Sequence, residues 1–250
     1  MTTMPAVLAT ALKQIRCEEI PVPDPEPGKV LVKTTLASIC GSDLHIVYMG
    51  WNVHEFPLPH GYPGHEGVGE VVDGGGTGFE PGELVLTAPN IWGSRCFAGY
   101  QLIDPQFLLR LPTDTPQTHL LMAQQLGTVV FGCRRLPSLV GKTVVVVGQG
   151  SVGLFHDFML RRIGAHRIIA IEPVAERLAQ GRRMGVDEAV DVTGQRATDA
   201  VLDLTEGEGA DVVIEAVGSV DTLNQAIQMA RPLGRVALFG LPSTMEKVPF

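Results

Sequence analysis

Lys142-Thr-Val-Val-Val-Val147 runs directly into Gly148-Gln149-Gly150-Ser151-Val152-Gly153, and this passage decides the fold of the second half of the chain. An unbroken β-branched run is what a parallel strand buried on both faces requires. Gly148 permits a tight turn, Gly150 lets the backbone approach a pyrophosphate, and Gly153 lets the following helix pack against the strand. The helix opening at Ser151 and Val152 then presents free N–H groups and a partial positive charge to an anion. Nineteen residues past Gly153, Glu172 stands at the end of the next strand-like segment, Arg167–Ile171. A carboxylate there suits the adenosine ribose hydroxyls and disfavours a 2′-phosphate. The spacing predicts a dinucleotide site that takes NAD in preference to NADP.

Working outward, helical patterns at Val152–Ile163, Val174–Met184 and Asp221–Ala230 alternate with strand-like segments at Glu188–Val192, Asp211–Ala216 and Arg235–Phe239. Alternation of this kind makes a doubly wound parallel sheet of the Rossmann type, here with five strands. Thr118–Pro137 carries apolar residues at helical spacing. Before about Pro112 the texture is different. Short β-branched runs at Lys29–Thr34, Gly67–Val72, Glu83–Thr87 and Tyr100–Ile103 are separated by turns such as Asp73–Gly78. That reads as an antiparallel, barrel-like β domain. The expected α/β organisation is therefore a β domain over 1–115 and a dinucleotide-binding domain over 116–250.

Composition narrows the function. The 250 residues carry 27 acidic and 19 basic side chains, a formal net charge of −8. Nucleic acid is a poor partner for such a chain, because phosphate neutralisation needs a basic surface. No apolar run approaches the roughly 20 residues of a membrane-spanning helix. The opening residues lack a signal-peptide pattern. Cys17, Cys40, Cys96 and Cys133 have no paired spacing, which suits reduced thiols and a cytoplasmic setting. His119, His156 and His166 read as surface or helix residues without a role. Trp51, His54, Phe56 and His60 form an aromatic and histidine-rich stretch that either lines a pocket or covers the barrel.

Cys40-Gly41-Ser42-Asp43-Leu44-His45 is followed by Gly64-His65-Glu66-Gly67-Val68-Gly69. Thiolate and imidazole suit zinc, and a catalytic zinc keeps three protein ligands and one open position. With the glycine turn, Phe97-Ala-Gly-Tyr100 and Asp211-Val-Val-Ile-Glu-Ala-Val-Gly218 in the same order, the chain resembles the zinc-type medium-chain dehydrogenase/reductases along nearly its whole length. That family joins a GroES-like catalytic domain to a Rossmann domain. The resemblance implies a hydride transfer between a secondary alcohol, or its ketone, and NAD. By it Cys40 and His65 hold the catalytic zinc, with Glu66 a close neighbour or alternative ligand and Asp43 orienting a ligand. Ser42 takes the substrate proton and His45 passes it toward solvent. Thr128, Gly218 and Phe239 contact the cofactor, and Arg177 reaches the adenosine ribose or phosphate.

The sequence departs from the family pattern at three places. Gln124 stands where the third ligand is usually Cys, Asp or Glu, and a neutral amide binds zinc less well. A zinc-free reductase is thus one alternative. Only Cys96 lies between Val85 and Tyr100, so no four-cysteine structural zinc site is expected. The family continues through a sixth strand and a returning segment, whereas Met245–Phe250 ends this sequence. A truncated or shortened member is the expectation, with an open sheet edge that invites pairing of two copies into a homodimer. A non-catalytic dinucleotide-binding protein is the other alternative.

Overall fold

The computed structural model describes residues 2–88 and 93–242; the closing Met245–Phe250 lies outside them. The chain forms two compact units, Met1–Gln124 and Gln125–Phe250.

The first unit opens with a hairpin, β1 (Thr3–Ala11) and β2 (Gln14–Pro21), paired antiparallel. β3 (Val30–Ser38) leads into helix α1 (Gly41–Met49), and β4 (Glu66–Asp73), β5 (Leu84–Thr87), β6 (Tyr100–Ile103) and β7 (Leu108–Arg110) follow. Their sheet has the order β6-β3-β4-β5-β7 with every pairing antiparallel. Val30, Val32, Val71 and Val85 alternate inward with Phe79 to make its core, which fits half-buried strands of period two. Helix α2 (Gln117–Leu121) closes the unit, and α3 (Ala123–Cys133) crosses from it into the second.

The second unit contains β8 (Thr143–Val147), α4 (Ser151–Arg162), β9 (Arg167–Ile171), α5 (Ala175–Met184), β10 (Glu188–Val190), α6 (Gln195–Leu204), β11 (Ala210–Glu215), α7 (Val220–Met229) and β12 (Ala230–Leu238). All strand pairings are parallel and the order is β10-β9-β8-β11-β12. Val144 and Val146 point to one face, against Leu160, Ile168 and Ile214. Val145 and Val147 point to the other, against Ile169, Val213 and Met229. Both faces are covered, which is why the run carries no polar alternation. Each such side chain contributes about 1.5–3 kcal/mol of burial free energy. The order reverses between β8 and β11, the place where open α/β sheets bind ligands. No helix of the described residues is long and apolar enough to cross a membrane.

Several expected boundaries differ. The single helix over Thr118–Pro137 is two helices broken at Met122, and α3 stops at Cys133, ahead of Pro137, whose preceding residue is pushed off helical geometry. β10 is shorter than Glu188–Val192, and β12 begins at Ala230 rather than Arg235, directly after α7. The β1–β2 hairpin, β7, α1 and α6 add elements that the sequence pattern did not set out.

Candidate functional site

In the first unit, Cys40 is the N-cap of α1 in an extended conformation. Its N–H donates to Asp43 Oδ2 at 2.8 Å, which satisfies a donor at the helix start and sets a negative charge in the first turn, where the helix dipole favours it. The other oxygen of Asp43 accepts from His65 Nδ1 at 3.0 Å, and Pro63 O lies 3.1 Å from the same nitrogen. Two acceptors facing Nδ1 place the proton there. That leaves Nε2, 3.4 Å from Ser42 Oγ, as the nitrogen that an ion would take. Asp43, His65 and Glu66 are all buried, and the Ser38 hydroxyl donates to Glu66 Oε2.

One ligand atom each from Cys40, His65 and Glu66 lie within 4.8 Å of one another. Bonds of about 2.0–2.3 Å to a tetrahedral ion would bring them closer by about an ångström. A thiolate, an imidazole held in one tautomer by a carboxylate, and a second carboxylate form a donor set that fits zinc. Burial lowers the His65 pKa, but the Asp43 carboxylate and the Cys40 sulfur outweigh it and raise the ring to about 10. An ion binding Nε2 must therefore displace a proton. Gln124 is the second residue of α3 and half-buried. His45 Nδ1 is buried without a partner, and among the described residues no hydrogen bond joins it to Ser42.

In the second unit the glycines behave as the turn requires. Gly148 has φ of +94°, and a Cβ on Gly153 would lie 2.0 Å from Gly148 O. A Cβ on Gly150 would meet no atom within 4 Å, so the space over the turn is open to a ligand that approaches the backbone. Gly150 caps α4, and Ser151 and Val152 are its first residues. Glu172 is buried, with Oε2 accepting from Gln149 N at 2.9 Å and Oε1 from Val174 N at 3.1 Å. It thus braces the turn itself. Exposed Arg177 lies 3.7 Å from Glu172. Gly218 has φ of +88° in the loop after β11. Phe239 follows β12 and meets His156 edge-on with centroids 4.7 Å apart. Thr128 is exposed on α3.

Four functional-looking residues escaped the sequence reading. Buried Glu215 accepts from Val217 N and Gly218 N, both at 2.9 Å, and from Thr222 Oγ1 at 2.8 Å, so it shapes the loop after β11. Gln149 and Asp157 are fully buried under the glycine turn, and Ser38 supports Glu66. Only the position of Glu215 inside a strand-end motif offered a signal. His156 lies on α4, the helix placement of the two expected, and on its buried face: it is 2% exposed, donates from Nδ1 to Val152 O, and burial lowers it to about 4. Trp51 and Phe56 pack on Ile46, Leu58 and Tyr62, the covering arrangement of the two that the sequence left open. His60 pairs with Glu18 at 2.9 Å.

A parallel sheet with a glycine turn at its switch point, and a Cys-His-Glu cluster on a β domain, mark the chain as a dehydrogenase built of two units. Residues 26–113 match the family model for the alcohol dehydrogenase GroES-like domain, and residues 151–250 the one for zinc-binding dehydrogenase. An L-threonine 3-dehydrogenase from Pyrococcus horikoshii is 30% identical over 249 residues, covering 89% of this chain and 71% of its own. A sorbitol dehydrogenase from Bacillus subtilis is 28% identical, covering 99% of this chain and 78% of its own. A solved zinc-binding dehydrogenase of Sinorhizobium meliloti with NADP bound superposes with a TM-score of 0.87 at 26% identity, covering all of this chain and 80% of its own. The chain belongs to the zinc-type medium-chain dehydrogenase/reductase family.

Proposed function

We propose that this protein is an NAD-dependent oxidoreductase that moves a hydride between a secondary alcohol, or its ketone, and nicotinamide, with one zinc ion held by Cys40, His65 and Glu66. The observation that carries this reading is the convergence of those three ligand atoms within 4.8 Å. Residues 1–115 handle substrate and residues 116–250 carry the dinucleotide. Zinc, when bound, supplies Lewis acidity toward an alcohol or carbonyl oxygen. NAD supplies the hydride acceptor. Asp43 fixes the proton on His65 Nδ1 and so reserves Nε2 for the ion. Ser42, beside that nitrogen, accepts the substrate hydroxyl proton, and His45 with its unpartnered Nδ1 receives it in turn. Glu66 completes the ligand set, so Gln124 need not ligate.

Gly148, Gly150 and Gly153 admit the pyrophosphate to the N-terminus of α4, with Ser151 and Val152 offering N–H groups. Glu172 favours the ribose hydroxyls of NAD. NADP is the second reading, supported by the exposed Arg177 near Glu172 and by the NADP-bound relative. Free thiols suit the cytoplasm. Turnover of an alcohol panel followed by NADH absorbance tests the proposal. Activity is expected in the wild type and abolished in Cys40→Ala and His65→Ala; unchanged rates in both variants would sink the metal assignment.

A further inference from the structure

Ser38 closes β3 and Glu66 opens β4, and the antiparallel register sets them opposite each other. The Ser38 hydroxyl donates a hydrogen bond to Glu66 Oε2. Hydrogen bonds to an ionised carboxylate are among the stronger ones, and Glu66 is only 1% exposed, so water competes little for it. Two residues past Ser38 the chain reaches Cys40, whose sulfur joins the cluster with His65 and Glu66. An ionised carboxylate has about four lone-pair sites, so a hydroxyl and a cation can be served at once. His65 already has a support of this kind in Asp43.

We propose that Ser38 is a positioning residue for the metal. It holds the Glu66 carboxylate in the orientation of a third ligand, and it ties the strand end that carries Cys40 to the strand start that carries His65 and Glu66. Ligating carboxylates are themselves hydrogen-bonded as a rule, and losing such a partner typically costs roughly 10–100-fold in metal affinity. A carboxylate left without that bond must also surrender rotamer freedom when the ion binds. The inference rests on Glu66 being a ligand, as proposed above.

The test titrates the metal-free full chain with Co²⁺, whose thiolate absorption reports Cys40, and obtains Zn²⁺ affinity by chelator competition. One ion per chain is expected in the wild type. Ser38→Ala should weaken affinity about 10–100-fold, whereas Ser38→Thr, which keeps a hydroxyl, should stay close to the wild type. Adding Ser38→Ala to Glu66→Ala should weaken binding no further, because Ser38 acts through Glu66; a purely structural role would weaken both backgrounds alike. Should Ser38→Ala fail to fold, Ser38→Val against Ser38→Thr poses the same question with matched shapes. Wild-type affinity in Ser38→Ala together with a weakened Glu66→Ala overturns the role of Ser38 alone. Wild-type affinity in Glu66→Ala overturns the ligand reading and this inference together.

Discussion

Asp157 lies on α4, fully buried, and neither carboxyl oxygen has a hydrogen-bond partner among the described residues. Burial pushes its carboxyl up to about 8, opposed by the neighbouring Gln149 amide. The folded protein therefore keeps a proton that the unfolded chain, with its carboxyl near the usual 3.8, gives up. A raised carboxyl pKa adds stability that is complete below pH 3.8 and drains away as the pH climbs through 8. His156 works in the opposite sense. Its imidazole is lowered from 6.5 to about 4, so its stability is present above 6.5 and is lost as the pH falls toward 4. The two slopes cancel between their shared limits. From pH 6.5 to 8 Asp157 contributes about 1.4 kcal/mol per pH unit, about 2 kcal/mol over the window, and the raised His65 adds a slope of the same sign that the wild type and an Asp157 variant share. Asp157→Asn keeps the shape of the neutral acid and removes the slope. Thermal melts of the full chain, followed by far-UV circular dichroism at half-unit pH steps, measure the effect. The wild type should lose about 4–8 °C relative to the variant across that window. Melting curves that run parallel for the two proteins would refute the buried neutral acid.

Four further outcomes follow from the structure. Because His65 is raised to about 10 without the ion, zinc binding displaces a proton, and apparent affinity should rise about 100-fold between roughly pH 6 and 8; a flat profile in chelator competition contradicts this. Gly153→Ala puts a Cβ 2.0 Å from Gly148 O and should cost about 1–3 kcal/mol of stability as well as NAD affinity. Gly150→Ala, whose Cβ meets nothing, should melt like the wild type and lose only NAD affinity, as calorimetry will read. Glu172→Gln should lower the preference for NAD over NADP in kcat/KM, and an unchanged ratio assigns discrimination elsewhere.

The parallel sheet was legible because Val144–Val147 carries its burial in its composition: four consecutive β-branched residues are tolerated only where both faces are covered. The β1–β2 hairpin was not, since Gln14–Pro21 is largely exposed and mixed in character, leaving no alternation to read. Helix α1 was hidden in the Cys40–His45 motif, whose polar residues serve the site and not a helix face. That Cys40, His65 and Glu66 come together could be expected from residue type and family order. Their support could not: Ser38 meets Glu66 through strand register, and Asp157 meets Gln149 through packing, neither of which local sequence encodes. Glu172 also does more than its spacing implied, bracing Gln149 N while standing where the ribose is expected.

The most direct trial of the account is NAD-coupled turnover on secondary alcohols before and after chelation, with zinc added back stepwise. Activity should disappear with the metal and return in full at one equivalent per chain. Turnover that persists through complete metal removal would contradict it.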